Sequence, residues 1–410
     1  MKVILIIGLV WPEPKSSAAG SHMLQLIEAL GTSPSEITFA STSTSTERTV
    51  DLSEFNINTQ AIKVNDATFD DFLKTLNPDI VVFDRFMAEE QFGWRVAQHC
   101  PDAMRILNTE DLHCLRKGRE LALEQGRKFL DTDLFNSTAK REIASIYRSD
   151  LSLIISEAEI DLLIETFKVD RALLHYFPFL LNPDTDSPIK TFPGFENRDH
   201  FITIGNFMHP PNADAVLFLK ETIWPLIRDA LPDAEMHVYG SYMPDKFKAM
   251  QDENIGFLMK GFIKNVDEVM MNARVCLAPL RYGAGLKGKL MDAMLYGTPF
   301  ITSSVGAEGV FIDPENEQCI ADESKDFAMK AVELYGNQEL WVDAQQKGFR
   351  IIKERFHKSM HTRPFVERVD EIQNDLDEHR KRNFIGAMLM YHALQSTKYM
   401  SKWIELKNKK

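Results

Sequence analysis

The stretch 280-LRYGAGLKGKLMDAMLYGTPFITSSVGAEG-309 lies in a chain of 410 residues whose formal net charge is −13. Three glycines, two lysines and one carboxylate fall within about three helical turns of it. The apolar run before it, 275-VCLAPL-280, reads as a buried strand. Gly283 and Gly285 let the chain turn sharply and bring backbone amides close to a ligand. A helix is predicted from near Leu286, and its unpaired first-turn amides and dipole favour an anion there. Lys287 and Lys289 add formal charge to the same place. Gly285, Lys289 and Asp292 stand at i, i+4 and i+7 and share a face, which leaves Leu286, Leu290, Ala293 and Met294 for the sheet. Asp292 would repel a phosphate. Set deeper along the helix, however, a carboxylate can accept hydrogen bonds from both hydroxyls of a ribose. The spacing therefore suits a nucleoside diphosphate. The plainer alternative is a packing loop followed by an exposed helix acid.

Outward from this stretch, strand-like runs alternate with helical patterns. VILIIGLV, ITFAST, DIVVFDRF, MRILNTE and LSLIIS form one series, and FITIGN, EMHVYGS, GFLMKGF, VCLAPL and PFITSS a second. Such alternation predicts two doubly wound parallel sheets, with ligands bound at the carboxyl ends of the strands in the cleft between them. The expected division is a Rossmann-like domain over 1–176 and a proline-rich connection over 177–197. A second Rossmann-like domain follows over 198–362, and C-terminal helices over 363–410 pack back on the first domain. The first apolar run is too short and too quickly followed by Pro12 and Pro14 for a signal peptide, so it is read as a strand. No window approaches the ~18 apolar residues of a membrane span. Cys100, Cys114, Cys276 and Cys319 have no metal or disulfide spacing and are expected as reduced thiols of a cytoplasmic protein.

The quoted stretch resembles the donor-binding signature of glycosyltransferase family 4, in its GAGxKxK branch. These are retaining enzymes of the GT-B fold: two Rossmann-like domains facing each other across a cleft. The resemblance implies that Asp292 binds the nucleotide ribose, although the family normally has Glu there. It also implies a donor site made of Gly283, Gly285, Leu286, Lys287 and Lys289, with the Gly306-Ala307-Glu308-Gly309 loop offering backbone amides to the sugar phosphate. A second family acid, eight positions before Asp292, is Ala284 here. In the loop 202-ITIGNFMHPPNADAVLFL-219, Gly205, His209 and Asn212 are expected at the donor. His209 and Asn212 stand where relatives often carry Arg and Lys, Asn212 is read as a helix N-cap, and a structural histidine at the loop is the plainer reading of His209. Gly20, at the start of a first-domain helix, is expected near the transferred sugar.

The segment 105-RILNTEDLHCLRKGRE-120 packs Glu110, Asp111, His113, Arg116 and Arg119 into ten residues directly after a strand. Asp111 and His113 are the expected catalytic pair, contacting sugar or acceptor, and Arg116 and Arg119 the expected acceptor grip. The plainer reading is a solvated helix start with Arg116 paired to Glu120. Asp84, Arg85 and Glu89, in 83-FDRFMAEE-90, are weaker acceptor-side candidates.

Residues 380–410 hold eight Lys/Arg and one acid, a charge of +7, while the rest of the chain is −20. Phe384, Ile385, Met388, Leu389, Tyr399, Met400, Trp403 and Ile404 recur there at helical spacing. Two readings stand: terminal helices docked on the first domain with their basic residues in solvent, or a basic amphipathic surface for anionic membrane or a partner. A peripheral location on the inner face of a membrane follows from the second. Nucleic acid is disfavoured by the acidic body. The expected activity is sugar transfer from a nucleoside-diphosphate sugar to an acceptor hydroxyl of a glycan or glycolipid, with neither metal nor organic cofactor. A nucleotide-sugar epimerase of the same fold and a non-catalytic nucleotide-sugar-binding subunit are the alternatives.

Overall fold

The structure, a computed structural model, describes residues 1–183, 192–312 and 317–408, without the side chains of 393–395, 397 and 408. Its first sheet comprises β1 (Lys2–Gly8), β2 (Ser35–Ser41), β3 (Asn58–Ala61), β4 (Ile80–Asp84), β5 (Met104–Asn108), β6 (Leu151–Ile154) and β7 (Leu174–Tyr176). Its order is β3-β2-β1-β4-β5-β6-β7, all parallel. The second sheet comprises β8 (Asp199–Ile204), β9 (Met236–Tyr239), β10 (Phe257–Gly261), β11 (Ala273–Ala278) and β12 (Phe300–Thr302), ordered β10-β9-β8-β11-β12 and again all parallel.

Helices cover both faces of each sheet, which is why the central strands carry near-continuous apolar runs rather than alternating ones. Leu5, Ile7, Val81 and Phe83 enter one core and Ile4, Ile6, Ile80 and Val82 the other. The second domain divides likewise, with Phe201, Val238 and Leu277 on one side and Ile202, Cys276 and Ala278 on the other. The four cysteines are free thiols.

Of the expected connection 177–197, Phe177 and Leu180 are buried in a first-domain core, while Phe179 and Leu181 join a second-domain core. Residues 184–191 of that connection lie outside the described residues. The returning chain runs alongside it, Leu181 exchanging backbone bonds of 2.9 and 2.8 Å with Phe356 and Lys358. The helix Lys358–Asn374 then re-enters the first domain, where Phe365, Val369 and Ile372 fill the same core as Ile4 and Val82.

The last helix, Phe384–Asn408, lies across the helices Phe86–His99 and Ser137–Arg148. Buried Arg95 anchors it, donating to Asp70 at 2.6 Å, to Ser401 at 3.0 Å and to Glu405. Arg380 holds the preceding turn through Asp150 at 2.9 and 2.8 Å. The docked-helix expectation for this tail therefore describes one face of it. No helix among the described residues is long and apolar enough to cross a membrane.

Candidate active site

The helix that opens the quoted stretch runs Gly288–Leu295 and begins two residues later than expected. Gly285 sits at φ 65°, a conformation glycine adopts without strain, and Lys287 occupies the cap position in an extended conformation. A Cβ on Gly288 would come within 2.5 Å of the Ala18 Cβ. Ala18 opens the helix Ala18–Leu30, capped by the Ser17 hydroxyl, which accepts from the Gly20 amide at 3.1 Å. Two helix N-termini, one from each domain, thus meet at the cleft, both positive ends inward. Gly20 itself packs on the backbone of Glu13, so its role in this structure is close packing.

Lys287 and Lys289 are both buried. The Lys287 ammonium donates to the Gly285 carbonyl at 2.5 Å, which leaves two of its three donors uncommitted among the described residues. Lys289 has no hydrogen-bond or ion-pair partner among the described residues, and burial pushes its pKa down to about 8. Asp292, half-buried one turn on, also has no hydrogen-bond or ion-pair partner among the described residues, and burial alone raises its pKa to about 7. A cation and a carboxylate one helical turn apart, each without a partner among the described residues, are groups prepared for a ligand.

The first-domain wall is built from strand ends. β4 ends at Asp84 and β5 is followed by Glu110 and Asp111. Arg85 (φ 69°, ψ 157°) and Glu110 (φ 63°) occupy backbone regions that a side chain makes costly, and such strain concentrates at functional sites. Burial raises Asp84 to about 6, against the pull of Arg85 at 3.2 Å and with the push of Glu110. Glu110 accepts from Asn108 at 2.8 Å and faces His22 at 3.4 Å. Burial works against the Asp111 carboxylate, yet Arg116 at 2.9 Å and His113 at 3.3 Å outweigh it and hold Asp111 well below the usual carboxylate range. The Asp111–Arg116 contact is an ion pair without hydrogen-bond alignment. Arg116 thus takes Asp111, while Glu120 accepts from the Tyr282 hydroxyl across the cleft at 3.2 Å.

His209 joins the two walls. Burial is the main reason its pKa falls to about 4. Asp111 opposes that fall, and Arg116, Lys289 and Lys287 add to it, so the ring is neutral at pH 7 and close to both domains' charges. It occupies the N-cap position of the helix Pro210–Phe218, where Asn212 was expected. The Asn212 side chain instead packs on Gly205 and donates to the Asn206 carbonyl at 3.1 Å, so it braces the loop.

Three expectations change role here. Arg119, expected to grip the acceptor, donates to the Gly283 carbonyl at 2.8 Å and forms a two-pronged pair with Glu308, one arm at 2.7 Å. The Gly306 and Ala307 amides, expected to face the donor, are bonded to Ser303 at 3.1 and 3.0 Å. Glu89, a weaker acceptor-side candidate, is buried in a pair with Arg148 at 2.9 and 3.0 Å.

Two acids that the sequence did not single out also matter. Glu142 accepts from the His113 and Cys114 amides at 2.9 and 3.0 Å and so fixes the helix that carries His113. Glu159 accepts from Leu112 at 3.1 Å and, across the cleft, from the Gly285 amide at 2.8 Å. Burial, reinforced by Asp111, raises Glu159 to about 8. Its signal was available, since Glu157 and Glu159 follow LSLIIS much as Glu110 and Asp111 follow MRILN.

Residues 198–337 match the family model described as glycosyl transferases group 1. Solved structures extend the likeness to both domains. Sucrose-phosphate synthase from Thermosynechococcus elongatus superposes with a TM-score of 0.70 at 14% identity, covering 91% of this chain and 99% of that one. Anabaena HepE, in complex with UDP and glucose, gives 0.65 at 14% identity over 90% and 100%. S. aureus TarM gives 0.57 at 17% identity, covering 74% of this chain and 58% of that one. The fold is GT-B. Among curated proteins none matches the chain in sequence.

In this GT-B arrangement the cleft is latched shut by the Arg119–Glu308 pair and the Glu159–Gly285 bond. Removing the pair in Arg119→Ala is expected to cost about 1–2 kcal/mol and to let the domains part. Thermal unfolding and small-angle scattering of the ligand-free protein check this. An unchanged melting temperature and an unchanged radius of gyration would refute it.

Proposed function

We propose that the chain is a retaining, metal-independent glycosyltransferase of family 4, moving a sugar from a nucleoside-diphosphate sugar to an acceptor hydroxyl in glycan or glycoconjugate synthesis. The observation that carries this reading is the pair of groups on the helix Gly288–Leu295 that have no partner among the described residues: Lys289 for the diphosphate and Asp292 for the ribose. The family match over 198–337 supports it.

In this reading the bond from the sugar's anomeric carbon to the diphosphate breaks while the acceptor oxygen bonds to the same face of that carbon. The acceptor proton passes to the departing phosphate oxygen. Lys287, Lys289 and the helix N-terminus stabilise the charge developing on the diphosphate, so the protein's own cations supply what a metal would. Asp111, kept ionised by Arg116 and His113, accepts hydrogen bonds from sugar hydroxyls and orients the sugar. His113 stands beside it toward the acceptor, with Asp84 and Arg85 behind. Closure across Arg119, Glu159 and Glu308 excludes water and so suppresses hydrolysis.

The test is incubation with uridine and guanosine diphosphate sugars, with and without glycan acceptors. The expected result is nucleoside diphosphate release that depends on acceptor, with a product of unchanged anomeric configuration by NMR. An isomeric nucleotide sugar formed without acceptor would establish the epimerase reading. Tight binding with no product under any condition would establish the binding subunit. Lys287→Ala is expected to slow transfer at least tenfold while the protein stays folded.

A further inference from the structure

The helix Phe384–Asn408 shows two faces of opposite character. At 100° per residue, Gly386, Met390, Ser401 and Glu405 fall on one side, and these meet the first domain: Gly386 against the Tyr147 carbonyl, Met390 under Arg105, Ser401 and Glu405 on Arg95. Phe384, Met388, Tyr391, Tyr399, Trp403 and Leu406 cluster within an arc of about 120° on the other side. They are 47% to 74% exposed. Nothing among the described residues covers them. A monomeric protein rarely leaves so many aromatic and long aliphatic side chains together in water.

The charges sharpen the picture. Lys398, Lys402 and Lys407 rise along the flanks and middle of the apolar arc with no carboxylate partner among the described residues. The helix's one acid, Glu405, is turned inward onto Arg95. The outward face is therefore apolar and purely cationic, in a chain that is otherwise strongly acidic. A second copy would have to bring these lysines against their equivalents, which disfavours self-association. Lysine stems that run beside buried aromatics and lift their ammonium groups to phosphate fit a lipid surface instead.

We propose that this helix lies in the interface of an anionic bilayer, apolar arc down and parallel to the surface. Its roughly 37 Å length then forms one continuous contact. It attaches the protein by the first domain, on the outer side of the helices Phe86–His99 and Ser137–Arg148. The first of these follows Asp84 and Arg85, and the second carries Glu142, which holds the His113 helix in place. The membrane contact is thus bolted to the first-domain wall of the cleft.

Co-sedimentation of the full chain with vesicles tests this. Binding is expected to phosphatidylcholine vesicles containing about a third phosphatidylglycerol, to be weak to phosphatidylcholine alone, and to fall with salt. The double variant Tyr399→Ser, Trp403→Ser is expected to lose at least tenfold in partitioning. Lys398→Gln and Lys402→Gln should each lose about fivefold. Because these side chains are exposed, melting temperatures should hold, and vesicles should blue-shift tryptophan emission in the wild type but not in Trp403→Ser. Absence of binding to anionic vesicles, or binding indifferent to these replacements, overturns the proposal. So does a concentration-dependent dimer that Trp403→Ser dissolves in a protein that ignores vesicles.

Discussion

Lys289→Met is expected to slow sugar transfer by about 100-fold, the usual cost of removing one preorganised donor from a developing oxyanion, without lowering stability. The stem of methionine keeps the packing while the charge disappears. Burial brings the Lys289 pKa from 10.5 down to about 8, so the folded protein holds its proton less tightly than the unfolded chain. Below about pH 8 the ammonium is therefore a cost to folding, and that cost fades as pH rises from 8 toward 10.5. The variant should melt higher than wild type at pH 7, with the gap closing at alkaline pH. Steady-state kinetics beside thermal melts at pH 7 and pH 10 check both halves. A variant with wild-type turnover removes Lys289 from the site.

Asp292→Asn should weaken binding of a nucleoside-diphosphate sugar by about 10–100-fold, since two charge-assisted hydrogen bonds to the ribose lose their acceptor charge. Burial raises this carboxyl from 3.8 to about 7. Its folded pKa lies above the unfolded one, so stability is lost as pH rises toward 7, and asparagine should recover roughly 1–3 kcal/mol at pH 8. In the wild type, donor affinity should rise through about pH 7 as Asp292 ionises and fall beyond about pH 8 as Lys289 loses its proton. The diphosphate of a nucleotide sugar does not itself titrate in that window. Calorimetric titration should therefore give a narrow bell, with the acid limb missing in Asp292→Asn and the alkaline limb missing in Lys289→Met. A flat profile in the wild type contradicts both assignments.

The donor half of the cleft was legible because it is local. Strand, glycine turn, helix and the Gly306 loop follow one another within about thirty residues, and helical periodicity alone puts Lys289 and Asp292 on one face. The central strands were legible because both of their faces are buried. β3 was not, since its four residues, NTQA, form an exposed edge with no apolar pattern to read. The first-domain half was legible only in part. Asp84, Asp111 and Glu159 come from the ends of three separate strands, and only the strand order places them side by side. Pairs such as Arg119 and Glu308, 189 residues apart, have no local signature at all. Each was visible as a charge near the cleft, but not as the other's partner.

The return of the chain at Lys358–Asn374 has a consequence for synthesis on the ribosome. The seven strands of the first sheet have all emerged once Tyr176 is out, yet Phe365, Val369 and Ile372 are still about two hundred codons away. At translation speeds of 5–20 residues per second, the nascent sheet waits roughly 10–40 s with part of one face uncovered. Through that interval the amino-terminal half offers an apolar gap to chaperones, and it closes only after the second half of the protein has been made.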